Sequence, residues 1–102
     1  ALPGGFLDGG ETLLHCAIRE LKEETSVSLN SAQRVGVYDA PARDPRGRVI
    51  SVAYTALVVK SSVKPLAADD AKNLDWYPIG DLPQLAFDHH QIIAEAKAVF
   101  EA

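Results

Sequence analysis

The sequence feature that most constrains the fold is a glycine-dense loop followed at once by an amphipathic helix. Residues 3–10 read Pro-Gly-Gly-Phe-Leu-Asp-Gly-Gly, a composition that disfavours regular structure. Apolar side chains then recur at the i, i+3, i+4 and i+7 spacing of one helical face, in Leu14, Ala17, Ile18 and Leu21. The sequence therefore predicts a loop that leads into the N-terminus of a helix whose apolar stripe packs on a core.

Three carboxylates share another face of this predicted helix. Glu20, Glu23 and Glu24 are spaced i, i+3 and i+4, and their mean direction is roughly a third of a turn from the apolar stripe. Like charges at this spacing destabilise a helix by roughly 0.2–0.5 kcal/mol per pair, and a hard divalent cation with oxygen ligands removes that conflict. The alternative is a solvated acidic face that Arg19 and Lys22 partly neutralise. The acids alone do not decide between a metal site and a solvated face.

The ends of the helices are also indicated by residue type. Glu11 and Thr12 are acceptors that favour the start of the first helix, and the run 25–30 is typical of its end. A second apolar stripe predicts a C-terminal helix over residues 89–102.

The rest of the chain predicts an α/β arrangement. β-branched and aromatic residues indicate three strands, over residues 33–38, 49–59 and 74–79, the last carrying Trp76. A loop with three arginines joins the first two strands, and an exposed, partly acidic loop over 60–73 precedes the third. We expect a single domain over residues 1–102, with helices on both faces of a mixed sheet.

Composition excludes several classes of function. A formal net charge of −4 argues against a surface built to hold nucleic acid or an anionic membrane, and no apolar run is long enough to span a bilayer. The lone Cys16 rules out an internal disulfide framework and a multi-cysteine zinc site. The chain opens without Met or a signal peptide, so we expect it to begin inside a longer gene product and to be cytoplasmic.

The spacing around the glutamates resembles the Nudix box, G-x5-E-x7-R-E-U-x-E-E-x-G-U, in which U is apolar. Gly5, Glu11 and the run from Arg19 to Val27 match eight of its nine specified positions. The departure is Ser26, where the pattern has Gly. Glycine after a helix end usually supplies a positive φ, so Ser26 is expected to cost on the order of 1 kcal/mol of local stability.

The resemblance implies a Nudix-type α/β/α sandwich with its box at residues 5–27. Because the box begins almost at residue 1, roughly 30–40 residues of N-terminal strands are expected to be absent from this chain. The family hydrolyses nucleoside diphosphates linked to another group X, with divalent metals, here Mg²⁺ or Mn²⁺. The implied metal site comprises Gly5 (through its carbonyl), Glu11, Glu20, Glu23 and Glu24. The implied catalytic set comprises Glu20, Glu23, Glu24 and Arg19, with Arg19 orienting a glutamate and the identity of the base left open.

Residues outside the box narrow the implied substrate. The arginine loop over 43–48 with the strand after it, and the run over 87–93, resemble Nudix members that act on ADP-ribose. The residues expected to contact substrate are Arg43, Arg46, Arg48 and His89, because guanidinium groups present planar, bidentate donors to phosphate and ribose oxygens. The alternatives are an ordinary exposed turn for the arginines and packing or capping for His89 and His90.

Other residues are interpreted more simply. Asp69 and Asp70 are expected to be solvated loop acids rather than a further acid of the site, Trp76 and Tyr77 to belong to the core, and Cys16 to be a small buried hydrophobe.

The sequence therefore favours an enzyme that converts ADP-ribose to AMP and ribose 5-phosphate. The alternatives are hydrolysis of another dinucleotide, such as NADH or a diadenosine polyphosphate, and a non-catalytic Nudix domain that senses ADP-ribose. The Nudix half of a bifunctional NAD-biosynthetic enzyme also stays open. The expected partner is a small-molecule nucleotide, with neither nucleic acid nor membrane, and a homodimer is among the implied assemblies.

Overall fold

The computed structural model describes residues 2–64, 74 and 76–101. In chain order its elements are helix α1 (Leu13–Thr25), strand β1 (Gln33–Tyr38), strand β2 (Ser51–Thr55), a short 3-10 turn (Lys60–Ser62) and helix α2 (His89–Val99). Neither α1 nor α2 is long and apolar enough to cross a membrane, and the described residues contain no other helix that is.

Helix α1 begins and ends where the sequence predicts. The Oγ1 of Thr12 accepts a hydrogen bond from the His15 amide at 3.2 Å and so caps the N-terminus. At the other end Ser26 adopts the left-handed conformation, with φ 64° and ψ 9°, and its amide donates to the Lys22 carbonyl at 2.8 Å. The positive φ expected at Ser26 is confirmed.

Strands β1 and β2 form an antiparallel pair. Their register joins Gln33 to Thr55 and Tyr38 to Ser51, with an irregularity between Arg34 and Gly36. The predicted bounds of β1 are confirmed, whereas β2 is shorter than the predicted 49–59. Its pairing stops at Thr55 because that residue already lies opposite the first residue of β1. Both described strands are antiparallel, so a mixed sheet requires strands beyond this pair.

The predicted third strand is wrong for the residues that the structure describes. Leu74 and residues 76–79 are not in a strand, and no described strand pairs with them. The prediction that Trp76 and Tyr77 belong to the core is also wrong, because they are 49% and 51% exposed. The Nζ of Lys60 lies 5.6 Å from the centre of the Trp76 ring. Residues 65–73 and 75, with the loop acids Asp69 and Asp70 among them, lie outside the described residues.

The helices pack on the strand pair around a small core. Helix α2 contacts both strands, and α1 contacts β2. Cys16, Tyr38 and Ile92 are the buried apolar side chains of the described chain, so the interpretation of Cys16 as a buried hydrophobe is confirmed. The Tyr38 hydroxyl donates to the Glu95 carboxylate at 3.0 Å, which ties the end of β1 to α2.

Candidate functional site

The glycine-rich segment before α1 lies directly against two carboxylates of the helix. A Cβ at Gly5 would overlap the carboxyl group of Glu20, so a larger residue here would have to displace that carboxyl group. One residue earlier, the Gly4 amide donates to Oε2 of Glu24 at 2.9 Å. The loop and the acidic face of α1 therefore form one continuous unit.

Arg19 lies among the carboxylates: it donates hydrogen bonds to three of them, and its Nη2 lies 3.4 Å from a fourth, that of Asp8. Its Nε and Nη2 donate to the two carboxylate oxygens of Glu11, at 3.0 and 2.7 Å. Its Nη1 donates to Glu20 at 2.6 Å and to Glu23 at 3.1 Å, and Nη2 also donates to the Phe6 carbonyl at 3.2 Å. The bidentate pair with Glu11 joins the loop to the middle of the helix and orients the guanidinium.

The Arg19 network changes the titration of its partners. The pKa of Glu11 is lowered to about 2, mainly by the hydrogen bonds from Arg19 and next by the Asp8 amide, which donates to Glu11 at 2.8 Å. The same carboxylates raise the pKa of Arg19. Burial raises the pKa of the nearby Cys16 thiol, with Glu11 adding to the rise. Glu11 and Arg19 therefore carry full charges at neutral pH.

The donor atoms of this unit fit a hard divalent cation by their chemistry. Glu11, Glu20, Glu23 and Glu24 offer only carboxylate oxygens, the ligands that Mg²⁺ and Mn²⁺ prefer. In the described part of the chain, however, no three acidic, histidine or cysteine side chains converge closely enough to hold an ion as they stand. Three of the four glutamates instead bind the guanidinium of Arg19.

Arg43, one of the expected substrate contacts, is buried and hydrogen-bonded to other residues of the chain. Its side chain is 4% exposed, and Nε and Nη2 form a bidentate pair with Asp88 at 2.6 and 2.7 Å. Its Nη1 donates to the Ser51 hydroxyl at 2.9 Å. Arg43 therefore ties the arginine loop to β2 and to the residue before α2, and this placement leaves its guanidinium almost no surface for a ligand.

Arg46 and Arg48 reach the surface. Arg46 is 75% exposed, and its guanidinium is paired with the buried carboxylate of Asp44 at 2.8 Å. Asp44 also accepts the Arg46 amide at 2.9 Å, and these contacts lower the pKa of Asp44 to about 2. Arg48 donates through Nη1 to the Asp39 carbonyl at 2.6 Å.

His89 connects the start of α2 to the loop before α1. Its Nδ1 accepts a hydrogen bond from the Leu2 amide at 3.3 Å, and burial lowers the pKa of its imidazole. The ring is therefore neutral at pH 7, with its proton on Nε2. Because Leu2 and Gly4 belong to one short segment, His89 and the glutamates of α1 lie at its two ends. His90, the next residue, is exposed.

Three functional features escape the sequence pattern. Asp88 holds Arg43, Asp44 holds Arg46, and Phe87 lies under the Arg46 guanidinium, 5.1 Å from the ring centre. The contact between Asp44 and the amide two residues later is that of an Asx turn, which an Asp-Pro pair in a turn-rich loop could have signalled. The other two pairings join residues more than 40 positions apart and leave no local signal.

Comparison with known proteins identifies the family to which the chain is similar. Residues 1–96 match the NUDIX domain family. An ADP-ribose pyrophosphatase from Methanocaldococcus jannaschii is 45% identical over 95 residues, which cover 93% of this chain and 55% of that protein. The ADPR responsive transcriptional repressor NtrR of Acinetobacter baylyi is 32% identical over 102 residues, covering 96% of this chain and 40% of the repressor. The chain thus spans about half the length of these relatives.

A solved structure supports the fold. The NUDIX domain of NrtR from Shewanella oneidensis, crystallised with ADP ribose, superposes with a TM-score of 0.80 at 31% identity, over 93% of this chain and 64% of that one. The likeness confirms the predicted α/β Nudix fold. With the family match over nearly the whole chain, it follows that this chain belongs to the NUDIX domain family.

Proposed function

We propose that this chain is the catalytic domain of a Nudix hydrolase that converts ADP-ribose to AMP and ribose 5-phosphate with Mg²⁺ or Mn²⁺. The observation that carries the proposal is the cluster of box carboxylates around Arg19 beside the Gly4–Gly5 loop. Two relatives support the choice of substrate, one named an ADP-ribose pyrophosphatase and one crystallised with ADP ribose.

The residues of α1 hold the metal in this proposal. Glu20, Glu23 and Glu24 provide the ligands or the base for the attacking water, and Glu11 with the Gly5 carbonyl completes the site. A bound divalent cation would supply neutralisation of the pyrophosphate charge and a lowered pKa for a bound water. Arg19 acts as a positioning residue, because its guanidinium donates hydrogen bonds to the carboxylates of Glu11, Glu20 and Glu23 and so holds them in place.

Substrate contacts come from the surface near α2. Arg46 and Arg48 lie on an exposed loop and supply positive charge to an otherwise acidic chain, and the neutral His89 offers Nε2–H as a donor. Arg43 supports this loop through Asp88 and does not itself contact the substrate. From the resemblance to the Nudix family, we also propose that the protein forms a homodimer in solution.

Two further readings remain as competing proposals. A different dinucleotide, such as NADH or a diadenosine polyphosphate, would use the same carboxylates with other contacts to X. A sensing domain that binds ADP-ribose without cleaving it is favoured by the likeness to an ADPR responsive repressor. The complete set of box glutamates favours hydrolysis over sensing, because binding alone does not need four acids beside a phosphate.

Product analysis of the complete protein separates these readings. The protein is incubated with Mg²⁺ and, in turn, ADP-ribose, NADH, diadenosine polyphosphates and nucleoside triphosphates, and AMP is followed by chromatography. We expect ADP-ribose to be the best substrate, and Glu23→Gln and Glu24→Gln each to lower kcat at least about 100-fold. Glu101→Gln is the matched control, since this carboxylate only pairs with Lys97 at the end of α2.

The outcomes are distinct. Cleavage of NADH or a diadenosine compound in preference to ADP-ribose would replace the substrate. Binding of ADP-ribose without turnover of any compound would establish the sensing function instead. Full activity in both glutamine variants would refute the assigned metal site.

A further inference from the structure

Phe87 occupies an unusual position at the entrance to α2. Its φ is 45°, in the left-handed region that residues with a Cβ rarely adopt. The ring is 39% exposed, the Cζ of Arg46 lies over it, and the centre of the His89 ring is 5.5 Å from its centre with the two planes at 79°. A large side chain in this conformation is thus held between a cation and a second ring at the protein surface.

The Arg46 guanidinium is fixed in its plane. Nε and Nη2 both donate to the Asp44 carboxylate, at 3.0 and 2.8 Å, and the Cζ of Arg46 lies over the Phe87 ring, 5.1 Å from its centre. The side chain nevertheless is 75% exposed, so much of its surface is open to solvent. An immobilised planar guanidinium backed by an aromatic ring is a surface on which a further planar ring stacks.

This surface is close to the carboxylates of α1. His89, which contacts Phe87, accepts from the Leu2 amide, and the Gly4 amide donates to Glu24. Two residues of chain span at most roughly 7 Å, so the two hydrogen bonds lie within one short segment. A continuous series of contacts through His89 and the 2–4 segment therefore connects Phe87 to Glu24.

We propose that Arg46 and Phe87 form the stacking surface for the nucleobase of the substrate, with Arg46 in direct contact and Phe87 behind it as a positioning residue. Because a purine offers more stacking area than a pyrimidine, this surface sets a preference for purine nucleotides. The inference rests on the proposed function, since it takes the carboxylates of α1 as the place of the diphosphate.

The test compares ligands that carry a purine or a pyrimidine base, in the complete protein and in variants of Arg46, Phe87 and Arg34. Binding is measured from the fluorescence change of etheno-ADP-ribose, and KM and kcat are measured for ADP-ribose and CDP-ribose. Arg46→Lys keeps the positive charge but removes the planar guanidinium group. Phe87→Leu keeps an apolar side chain but removes the aromatic ring. Arg34→Lys is the matched control, because Arg34 also lies over an aromatic ring, that of Tyr54, at 5.7 Å on the β1–β2 pair.

Arg46→Lys and Phe87→Leu are expected to weaken etheno-ADP-ribose binding and raise the KM for ADP-ribose by about fivefold or more. The KM for CDP-ribose should rise by a smaller factor, and both kcat values should change less than about twofold, as in Arg34→Lys. Equal losses for both bases would identify Arg46 as a phosphate contact, and unchanged KM values would remove it from the site; either result overturns the proposal. If the protein binds ADP-ribose without cleaving it, the fluorescence arm still decides the stacking role. Because Arg46 is exposed, Arg46→Lys is expected to fold, and it tests the proposal even if Phe87→Leu does not fold.

Discussion

Ser26→Gly should stabilise the protein by about 1 kcal/mol. Ser26 ends α1 with φ 64°, a conformation that costs an L-residue roughly 1–2 kcal/mol and glycine almost nothing. Part of that gain is offset, because glycine has more conformational freedom in the unfolded chain, by roughly 0.5–1 kcal/mol. The amide of residue 26 still donates to the Lys22 carbonyl after the substitution, so the helix end itself is retained.

The measurement is thermal and urea unfolding of the complete protein, in which 1 kcal/mol corresponds to about 4–8 °C for a domain of this size. Ser28→Gly is the control, because Ser28 has a negative φ and should lose stability or stay unchanged. Activity should not differ between Ser26→Gly and the parent, since the Ser26 side chain is exposed. An equal gain in both variants, or none at residue 26, would refute the argument from backbone strain.

Other substitutions and conditions test the site and its supports. Gly5→Ala should displace the Glu20 carboxyl and lower kcat at least about tenfold in the AMP assay, whereas Gly4→Ala, where a Cβ meets nothing within 4 Å, should not. The folded-state pKa of Glu11 is about 2 against an ordinary 4.5, so its contribution to stability is present above pH 4.5 and is lost as the pH falls towards 2. Glu11→Gln should therefore reduce the fall in the free energy of unfolding between pH 4.5 and pH 2. An unchanged fall would show that the Glu11 carboxyl group does not cause it. Arg43→Met should cost about 2–3 kcal/mol in urea unfolding by leaving a carboxylate unpaired, and much of that loss should return in the double variant with Asp88→Leu.

Local features of the first helix could be predicted because they depend on spacing alone. The apolar stripe, the Thr12 cap and the shared face of Glu20, Glu23 and Glu24 all follow from 3.6 residues per turn and from side-chain acceptors at a helix start. The left-handed Ser26 followed from its place after the last helical turn. These predictions involve residues within a few positions of one another.

The strand predictions show where such reasoning stops. The sequence predicts β1 with its observed bounds, but β2 is only five residues long, and Trp76, Tyr77 and the other described residues of the third predicted strand are not in a strand. β-branched and aromatic composition indicates that a segment can be extended. Whether it becomes a strand depends on a partner with free backbone donors and acceptors, which composition does not reveal.

The amino-acid sequence by itself therefore determined the acidic helix, the loop that precedes it and the family, because these reside in short-range spacing. Only the tertiary structure decided what the charged residues do. It buried Arg43 against Asp88, placed Arg46 on Phe87 and joined His89 to Leu2, which is 87 positions away. A guanidinium looks the same in sequence whether it binds substrate or holds a loop, and the difference lies in which distant carboxylate or ring the folded chain brings to it.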